Sequence, residues 1–304
     1  MDKNYGAIIG IDDIGLYDYE RVCGSSENAS YSQEFEIPVA RKLITKDQDC
    51  WQCCVAEVIS QVSEAHFSEE MSEGYIYGMF REDKDNYVGM YVPKVLDFWK
   101  NNSTVPKSYC DILCEMPEIR KKLKNIPELE TLFNQYKISG YVSLSYALKE
   151  KKDKAIKDAL TDKNKAYNYG LIAVSSKYFG ESHCVWLVGW NDKTNTYKVK
   201  NSWGNDYGDN GIVEVPKNAI DGGVYMVLFE DIVLPFKDVK ETDWYYSAVK
   251  HLYLSGLMNG VSETKFAPEQ PMTRAEVATL VWRIVKNIDK RFKILNKTVN
   301  EKIN

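Results

Sequence analysis

This chain contains a cysteine, a histidine and an asparagine whose side chains together could carry out nucleophilic catalysis. Cys50 begins the run CWQCCVAEVISQVSEAH, whose apolar spacing predicts a helix with one apolar face from Cys50 to His66, capped by Asp47 or Asp49. Backbone N–H groups and the helix dipole at a helix N-terminus favour the nucleophilic thiolate form of a cysteine. His183 and Asn201 follow Cys50 by 133 and 151 residues. They could supply the base and the amide that orients it, which predicts a Cys-His-Asn triad.

The cysteines also allow a different chemistry. The chain has 7 of them, an odd and unevenly spaced set that is a poor disulfide framework. Cys50-x2-Cys53 and Cys110-x3-Cys114 could together supply four thiolates to zinc. However, paired zinc ligands normally lie in tight turns, and the first pair opens a long apolar helix. A zinc-dependent or redox-active thiol protein stays an alternative, but we expect no metal and no cofactor.

The elements around these residues indicate an α+β fold. Helical and loop patterns occupy the first half of the chain, and four short runs rich in β-branched and aromatic residues follow. Because helices precede strands without regular alternation, the pattern predicts an antiparallel sheet and not a doubly wound one. The four predicted strands are YGLIAVSS, HCVWLVGW, YKVKNSW and GIVEVPK.

Length and charge limit the class of protein. The 304 residues are enough for about two domains, and the net charge of −5 gives no electrostatic footprint for nucleic acid. The longest apolar runs, Gly6–Ile11 and Cys184–Trp190, fall short of the roughly 18 to 20 residues that cross a bilayer. The N-terminus also lacks the apolar stretch of roughly 7 to 15 residues that marks a secretion signal. We therefore expect no nucleic acid, no transmembrane segment and no signal peptide.

Residues 35–235 resemble the papain-like cysteine peptidases. Cys50-Trp51 is similar to the nucleophile and its following aromatic residue in that family, and Ser182-His183-Cys184-Val185 is similar to its histidine strand. Asn201-Ser202-Trp203-Gly204 resembles its asparagine loop, and this motif is highly specific. The resemblance implies a two-lobed fold, with an N-terminal helical lobe and a C-terminal antiparallel β lobe. It also implies an endopeptidase that acts on a protein or peptide substrate.

Two cysteines compete for the nucleophile role that the resemblance implies. The family reads Gln, five residues, then Cys-Trp, whereas Cys50 follows Gln48 after one residue and Cys53 follows it after four. Cys50 keeps the adjacent tryptophan and is preferred. Cys53 is the alternative, although it places Glu57 where a buried unpaired carboxylate would cost several kcal/mol or take up a proton. Gln48 is the expected oxyanion donor, with Gln52 as the other candidate.

Residues 236–286 resemble one S-layer homology (SLH) repeat. The motifs are Phe236-x-Asp238, Trp244-Tyr245, Phe266-x-Pro268 and Thr273-Arg274-Ala275-Glu276, and Thr273 with Glu276 predicts a capping box at a helix start. The resemblance implies that Arg274 faces an anionic secondary cell-wall polysaccharide, for which a guanidinium group is suited. The competing interpretation pairs Arg274 with Glu276. Such repeats usually occur in threes, so self-association or pairing with other SLH proteins is expected.

Together these interpretations predict a bacterial papain-like cysteine endopeptidase. Its SLH module would hold it at the cell surface or cell wall of a Gram-positive bacterium. The alternative is a catalytically inactive papain-fold protein that binds the wall or S-layer as an adaptor. We expect a partly disordered lead-in over residues 1–34, a peptidase domain over 35–235, the SLH domain over 236–286 and a polar tail over 287–304.

Overall fold

The computed structural model describes residues 7–8, 30–48, 52–80, 89–110, 135–144, 149–161, 170–229, 234–254 and 257–286. Most of the predicted lead-in and the whole predicted tail lie outside these ranges. The described residues fall into two units, one ending at 229 and the other beginning at 234. The elements in chain order are β1 (Ala7–Ile8), β2 (Glu34–Glu36), α1 (Pro38–Lys42), α2 (Cys54–Phe67), α3 (Glu73–Phe80), β3 (Met90–Tyr91), α4 (Val92–Asn102), β4 (Gly140–Ser143), α5 (Lys149–Thr161), β5 (Leu171–Ser175), β6 (His183–Asn191), β7 (Thr196–Lys200), β8 (Ile212–Pro216), β9 (Val224–Leu228), α6 (Tyr246–Leu254) and α7 (274–286).

The first unit has the predicted α+β architecture. Its main sheet has seven antiparallel strands in the order β4-β9-β5-β6-β7-β8, and β2 pairs with the end of β6. All four strands predicted from the sequence are confirmed as β5, β6, β7 and β8. A separate parallel pair joins β1 to β3. The central strand β6 is buried over eight of its nine residues, which explains its unbroken apolar sequence.

Helix α2 is the central helix of this unit and packs against β6 and α3. The sequence analysis predicted one apolar face, but every residue from Cys54 to Ala65 is buried. The polar side chains of Glu57, Gln61 and Glu64 are therefore also buried. A helix covered on all sides has no solvent-exposed face on which to place its polar residues, so these must find partners within the protein.

Helix α2 begins four residues later than the sequence predicted. Its N-cap is Cys53, with φ −110° and ψ 18°, and no side chain caps the helix. Asp47, one of the two predicted caps, instead forms an antiparallel bridge with Trp203. The other, Asp49, lies outside the described residues, as do Cys50 and Trp51. The thiol at the helix start is therefore that of Cys54.

The second unit contains two helices, α6 and α7. A small core of Leu234, Phe236, Val239 and Val249 is packed against partly buried aromatic residues. The predicted capping box at the start of α7 is confirmed, because the Glu276 carboxylate accepts from both N and Oγ1 of Thr273, and Thr273 Oγ1 accepts from Glu276 N. None of the helices described in either unit is both long and apolar enough to cross a membrane.

Candidate active site

His183 and Asn201 meet in the interior of the first unit. His183 is the first residue of β6, and Asn201 directly follows β7, the strand paired with β6. His183 Nε2 lies 2.7 Å from Asn201 Oδ1, and both residues are fully buried. Asn201 Oδ1 also accepts from Ser202 N at 2.7 Å, which fixes the orientation of the amide. Since a carbonyl oxygen can only accept, Nε2 carries the proton and Nδ1 is the nitrogen that can act as a base.

Aromatic rings enclose this imidazole. The Trp203 ring stacks on the His183 ring with centroids 4.7 Å apart and an interplanar angle of 24°. Phe179 presents its edge to both rings. Excluding water in this way strengthens the hydrogen bond between His183 and Asn201, because the local dielectric is low.

Gln48 is tied directly to the loop that follows Asn201. Its backbone N donates to Ser202 O at 2.9 Å, and its side-chain Oε1 accepts from Ser202 Oγ at 2.6 Å. With Oε1 engaged, the Nε2 group is the part of the amide that can donate to an oxyanion. Gln48 is fully buried, whereas Gln52, the other candidate, is partly exposed.

The residues just before Gln48 make hydrogen bonds with the rest of the asparagine loop. Thr45 N donates to Asn205 Oδ1 at 2.8 Å, and Thr45 Oγ1 donates to Asn210 O at 2.7 Å. Gly211 has φ +76°, and a Cβ atom there would lie 2.2 Å from Thr45 Oγ1. A side chain at position 211 would therefore be both strained and obstructed. Segment 45–48 and loop 201–211 form one continuous contact.

The structure places the Cys54 thiol beside the histidine strand. Cys184, which directly follows His183, donates its backbone N–H to Cys54 Sγ at 3.4 Å. Cys54 is also the first residue of α2, where the N–H groups of the first turn have no acceptor within the helix. This thiol therefore lies at the positive end of a helix dipole and contacts the backbone of the residue that follows His183.

Cys53, the alternative nucleophile, has a different environment. Its Sγ donates to Glu57 Oε1 at 3.5 Å, one turn along the helix. Burial raises the pKa of the Cys53 thiol well above its ordinary value, and the Glu57 carboxyl group raises it further. Both effects disfavour a thiolate, the form that a nucleophile needs.

The preferred nucleophile of the sequence analysis, Cys50, lies outside the described residues, so the structure does not test it. From the sequence, Cys54 is interpreted as a small helix residue behind the nucleophile, although the sequence carried a signal for it as the nucleophile. Five residues separate Gln48 from Cys54, which is the separation typical of the papain-like pattern. Cys50 was preferred because Trp51 follows it, as tryptophan follows the nucleophile in the family. Val55 follows Cys54 instead, so the spacing from Gln48 was overlooked.

A buried charge network lies behind α2. Lys46 Nζ is 2.6 Å from Glu64 Oε1 and 3.1 Å from Glu73 Oε2, and it also donates to Met71 O. Burial alone would lower the pKa of Lys46, but the two carboxylates outweigh it and raise the pKa. Because Gly204 N donates to Lys46 O, the same lysine residue joins α2 and α3 to the asparagine loop.

The described residues include only two of the four cysteines that the zinc alternative requires. Cys53 and Cys110 are buried and take part in no disulfide among the described residues, and Cys114 lies outside those residues together with Cys50. Among the residues that are described, no group of three or more histidine, cysteine, aspartate or glutamate side chains could hold a metal ion.

In the second unit Arg274 is exposed at the start of α7. The alternative interpretation pairs Arg274 with Glu276, and in the structure Oε2 of Glu276 accepts from Thr273 in the capping box. Within the described part of the chain Arg274 takes part in no salt bridge.

Comparison with known proteins gives two matches along the chain. The family model described as Papain family cysteine protease matches residues 45–227, and the model of the S-layer homology domain matches residues 235–278. The Cell surface protein of Thermoanaerobacter kivui is 47% identical over 51 residues, which make up 17% of this chain and 7% of that protein. The chain spans only 4% to 11% of the length of the curated relatives that it matches.

Solved structures share the fold of the first unit. Xylellain, a cysteine protease from Xylella fastidiosa, superimposes with a TM-score of 0.56 at 14% identity, covering 75% of this chain and 97% of xylellain. The protease and lectin-like domains of Cwp84, a surface layer associated protein of Clostridium difficile, give a TM-score of 0.52 at 15% identity. That match covers 75% of this chain and 57% of the solved chain with those two domains. At these identities the likeness establishes the fold alone, and the predicted two-lobed papain-like fold with a C-terminal SLH region is confirmed.

Proposed function

Because the chain belongs to the papain family of cysteine proteases, we propose that it is an endopeptidase whose catalytic residues are Cys54, His183 and Asn201. The observation that carries this proposal is an imidazole that is oriented by an amide and lies on the strand whose next residue contacts a thiol at a helix N-terminus. Asn201 holds Nε2 of His183, and the Cys54 thiol lies against the residue that follows that histidine. A base held by a third group beside a nucleophile is the arrangement that covalent catalysis requires.

We assign the nucleophile to Cys54 in place of Cys50 on geometry and spacing. Cys54 begins α2, and its Sγ accepts from the backbone beside His183. It also follows Gln48 by the separation typical of the family. Cys53 is a poor nucleophile, because its thiol donates a hydrogen bond to Glu57 and has a raised pKa.

The reaction then proceeds in two stages. His183 Nδ1 takes the thiol proton of Cys54, and the thiolate attacks the carbonyl carbon of the peptide bond. His183 returns this proton to the leaving amine as the C–N bond breaks, which leaves a thioester on Cys54. A water molecule then attacks the thioester carbon while His183 accepts one of its protons, and the carboxylic acid product departs as the thiol is restored.

The negative charge that develops on the carbonyl oxygen needs donors. The Gln48 Nε2 group is oriented by the bond between its Oε1 and Ser202, and the backbone N–H of Cys54 belongs to the first turn of α2. Donors that are fixed before the reaction stabilise an oxyanion without reorganisation.

Covalent labelling tests the peptidase proposal. The full-length protein is treated with an epoxysuccinyl thiol-protease inhibitor and the modified residue is mapped by mass spectrometry. We expect the label on Cys54, and Cys54→Ser should abolish both labelling and peptide hydrolysis. The neighbouring Cys53→Ser is the matched control and should retain both.

Two outcomes would contradict this assignment. A label on Cys50 that survives Cys54→Ser would return the nucleophile to Cys50. A correctly folded protein with neither labelling nor hydrolysis would be the inactive papain-fold adaptor.

For the second unit we propose attachment to the cell surface of a Gram-positive bacterium. The match to the S-layer homology domain supports this, as does the similarity to the Cell surface protein of Thermoanaerobacter kivui. Arg274 is exposed, and its neighbour Glu276 is engaged by the capping box. A guanidinium group in this position suits an anionic secondary cell-wall polysaccharide.

Self-association through α7 is part of the same proposal. Val277, Val281 and Val285 follow one another at helical spacing and are 44%, 52% and 48% exposed. An apolar stripe of this kind is what a second copy or another SLH protein would cover. Sedimentation velocity tests this, because Val281→Lys should shift the protein toward monomer, whereas an unchanged sedimentation coefficient would exclude the stripe as an interface.

A further inference from the structure

Glu57 is a buried carboxyl group for which the proposed reaction has no use. It is 1% exposed and lies three residues after Cys54 in the first turns of α2. Its Oε1 accepts from the Cys53 thiol, a weak donor, and its Oε2 has no hydrogen-bond partner. An ionised carboxylate with so few donors would be costly to bury.

The charged groups around Glu57 do not stabilise its ionised form. Glu73 of α3 and Glu64 of α2 face it as like charges, and Lys46, the one cation among the facing groups of the described residues, is already shared by those two carboxylates. The Cys53 thiol, a further titratable group, also faces it. Burial, followed by repulsion from Glu73, raises the pKa of Glu57 to about 8.

The position of Glu57 links it to the candidate nucleophile. Its backbone N donates to Cys53 O at 3.0 Å, and its side chain accepts from the Cys53 thiol. Glu57 thus holds Cys53 by both backbone and side chain, and Cys53 is the N-cap that directly precedes Cys54. Any charge on Glu57 would lie at the same helix end that favours the Cys54 thiolate.

We propose that Glu57 is a positioning residue that acts as an uncharged carboxylic acid, anchoring Cys53 and keeping negative charge away from the Cys54 thiolate. This inference rests on the proposed function, because it takes Cys54 as the nucleophile. Glu57 does not touch the reacting atoms. Loss of its proton places a like charge near the thiolate and lowers the thiolate fraction.

The test measures alkylation of Cys54 as a function of pH. Wild-type protein and Glu57→Gln are treated with iodoacetamide from pH 6 to pH 9, and the rate at Cys54 is followed by mass spectrometry. Glutamine keeps the shape and the oxygen acceptor but cannot ionise. The ratio of the Glu57→Gln rate to the wild-type rate should be near one at pH 6 and rise on the order of tenfold by pH 9, with a midpoint near pH 8.

The ratio of the two rates isolates the effect of Glu57 ionisation. The titration of His183 affects both proteins equally and cancels in the ratio. Glu70→Gln is the matched control. It removes the same charge from a carboxylate that is 65% exposed and paired with Lys107, so its ratio to wild type should stay near one at every pH.

A second variant keeps the proposal testable if Glu57→Gln does not fold. Glu57→Met is also uncharged and should likewise lack the change near pH 8. It also loses the acceptor for the Cys53 thiol, so kcat at pH 6 should fall several-fold while KM stays unchanged, and Glu57→Gln should restore kcat.

The failure of this inference can be told apart from the failure of the proposed function. If iodoacetamide and the epoxysuccinyl inhibitor both modify Cys54, but the ratio is flat with pH for both variants, the role of Glu57 is wrong and the peptidase assignment stands. If Cys54 is not modified in the wild-type protein, the nucleophile assignment is wrong and the role of Glu57 is overturned with it.

Discussion

The hydroxyl group of Ser202 donates a 2.6 Å hydrogen bond to the side-chain Oε1 of Gln48, although 154 residues separate the two in sequence. This bond joins the candidate oxyanion donor to the residue that follows Asn201. Asn201 would orient the base and Gln48 would stabilise the oxyanion. The short backbone segment at Asn201 and Ser202 therefore positions both side chains.

Substituting Gln48 and substituting Ser202 should both lower kcat, but by different amounts. Gln48→Ala removes the donor itself and should reduce kcat on the order of 10²–10³-fold. Ser202→Ala leaves the donor but frees its orientation, so we expect a smaller loss of about tenfold. KM for a peptide substrate should change little in both, and steady-state kinetics of the full-length protein measures both constants.

Ser63→Ala is a suitable control for this pair. Ser63 is a fully buried serine of α2 whose Oγ donates to Ile59 O within the same helix. Its substitution should leave kcat unchanged. A Ser202→Ala variant with wild-type kcat would show that Gln48 is oriented by other means.

His183 and Asn201 should differ in how much activity their loss removes. His183→Ala removes the base and the proton donor, so peptide hydrolysis should fall to the background rate. Asn201→Ala leaves the imidazole in place without its acceptor at Nε2 and should leave a measurable remnant, on the order of 10²–10⁴-fold below wild type. Single-turnover hydrolysis measures both, and full activity in either variant would mean that the pair is not catalytic.

The raised pKa of Glu57 predicts how stability depends on pH. Between the ordinary value of 4.5 and about 8, folded protein keeps a proton that unfolded protein has released. The contribution of Glu57 to the free energy of unfolding is therefore greatest below pH 4.5 and falls steadily as the pH rises toward 8. Glu57→Gln should become progressively more stable relative to wild type across this window.

Urea unfolding measures this difference. A Cys54→Ser background prevents self-digestion, and the free energy of unfolding is compared with and without Glu57→Gln at pH 5, 6, 7 and 8. A difference that does not change with pH would show that Glu57 is ionised in the folded protein.

Arg274 should contribute to wall binding and not to catalysis. Arg274→Ala should reduce sedimentation of the full-length protein with purified cell walls that carry anionic polysaccharide, because the exposed guanidinium is lost. The peptidase rate should be unchanged. Lys240→Ala removes one exposed positive charge elsewhere in the second unit and should bind as wild type does. Equal sedimentation of the Arg274 variant and wild type would exclude this arginine as a wall-binding residue.

The fold and half of the candidate site were predictable from the sequence. The strands carrying His183 and preceding Asn201 consist of short runs with strong β propensity, and the loop motif after Asn201 is specific. The capping box of Thr273 and Glu276 was also predictable, because its partners lie within one helical turn. Local patterns of this kind do not depend on the rest of the chain.

The start of α2 and the burial of Glu57 were not predictable in the same way. Helical spacing continues through Cys50, so only tertiary contacts decide where the helix begins, and the bridge between Asp47 and Trp203 removes one predicted cap. A glutamate on a helix ordinarily faces solvent. Its burial here follows from the packing of β6 and α3 around α2, which no local pattern in α2 reveals.

The long contact between segment 45–48 and loop 201–211 has a consequence for the biosynthesis of this protein. A ribosome completes residue 48 well before residue 202, and a nascent chain that ends before that serine has nothing with which to orient the Gln48 amide as seen here. Closing a loop of this length also makes the contact a late event in folding. Under the proposed function, peptide-bond cleavage would therefore begin only after synthesis has passed the asparagine loop.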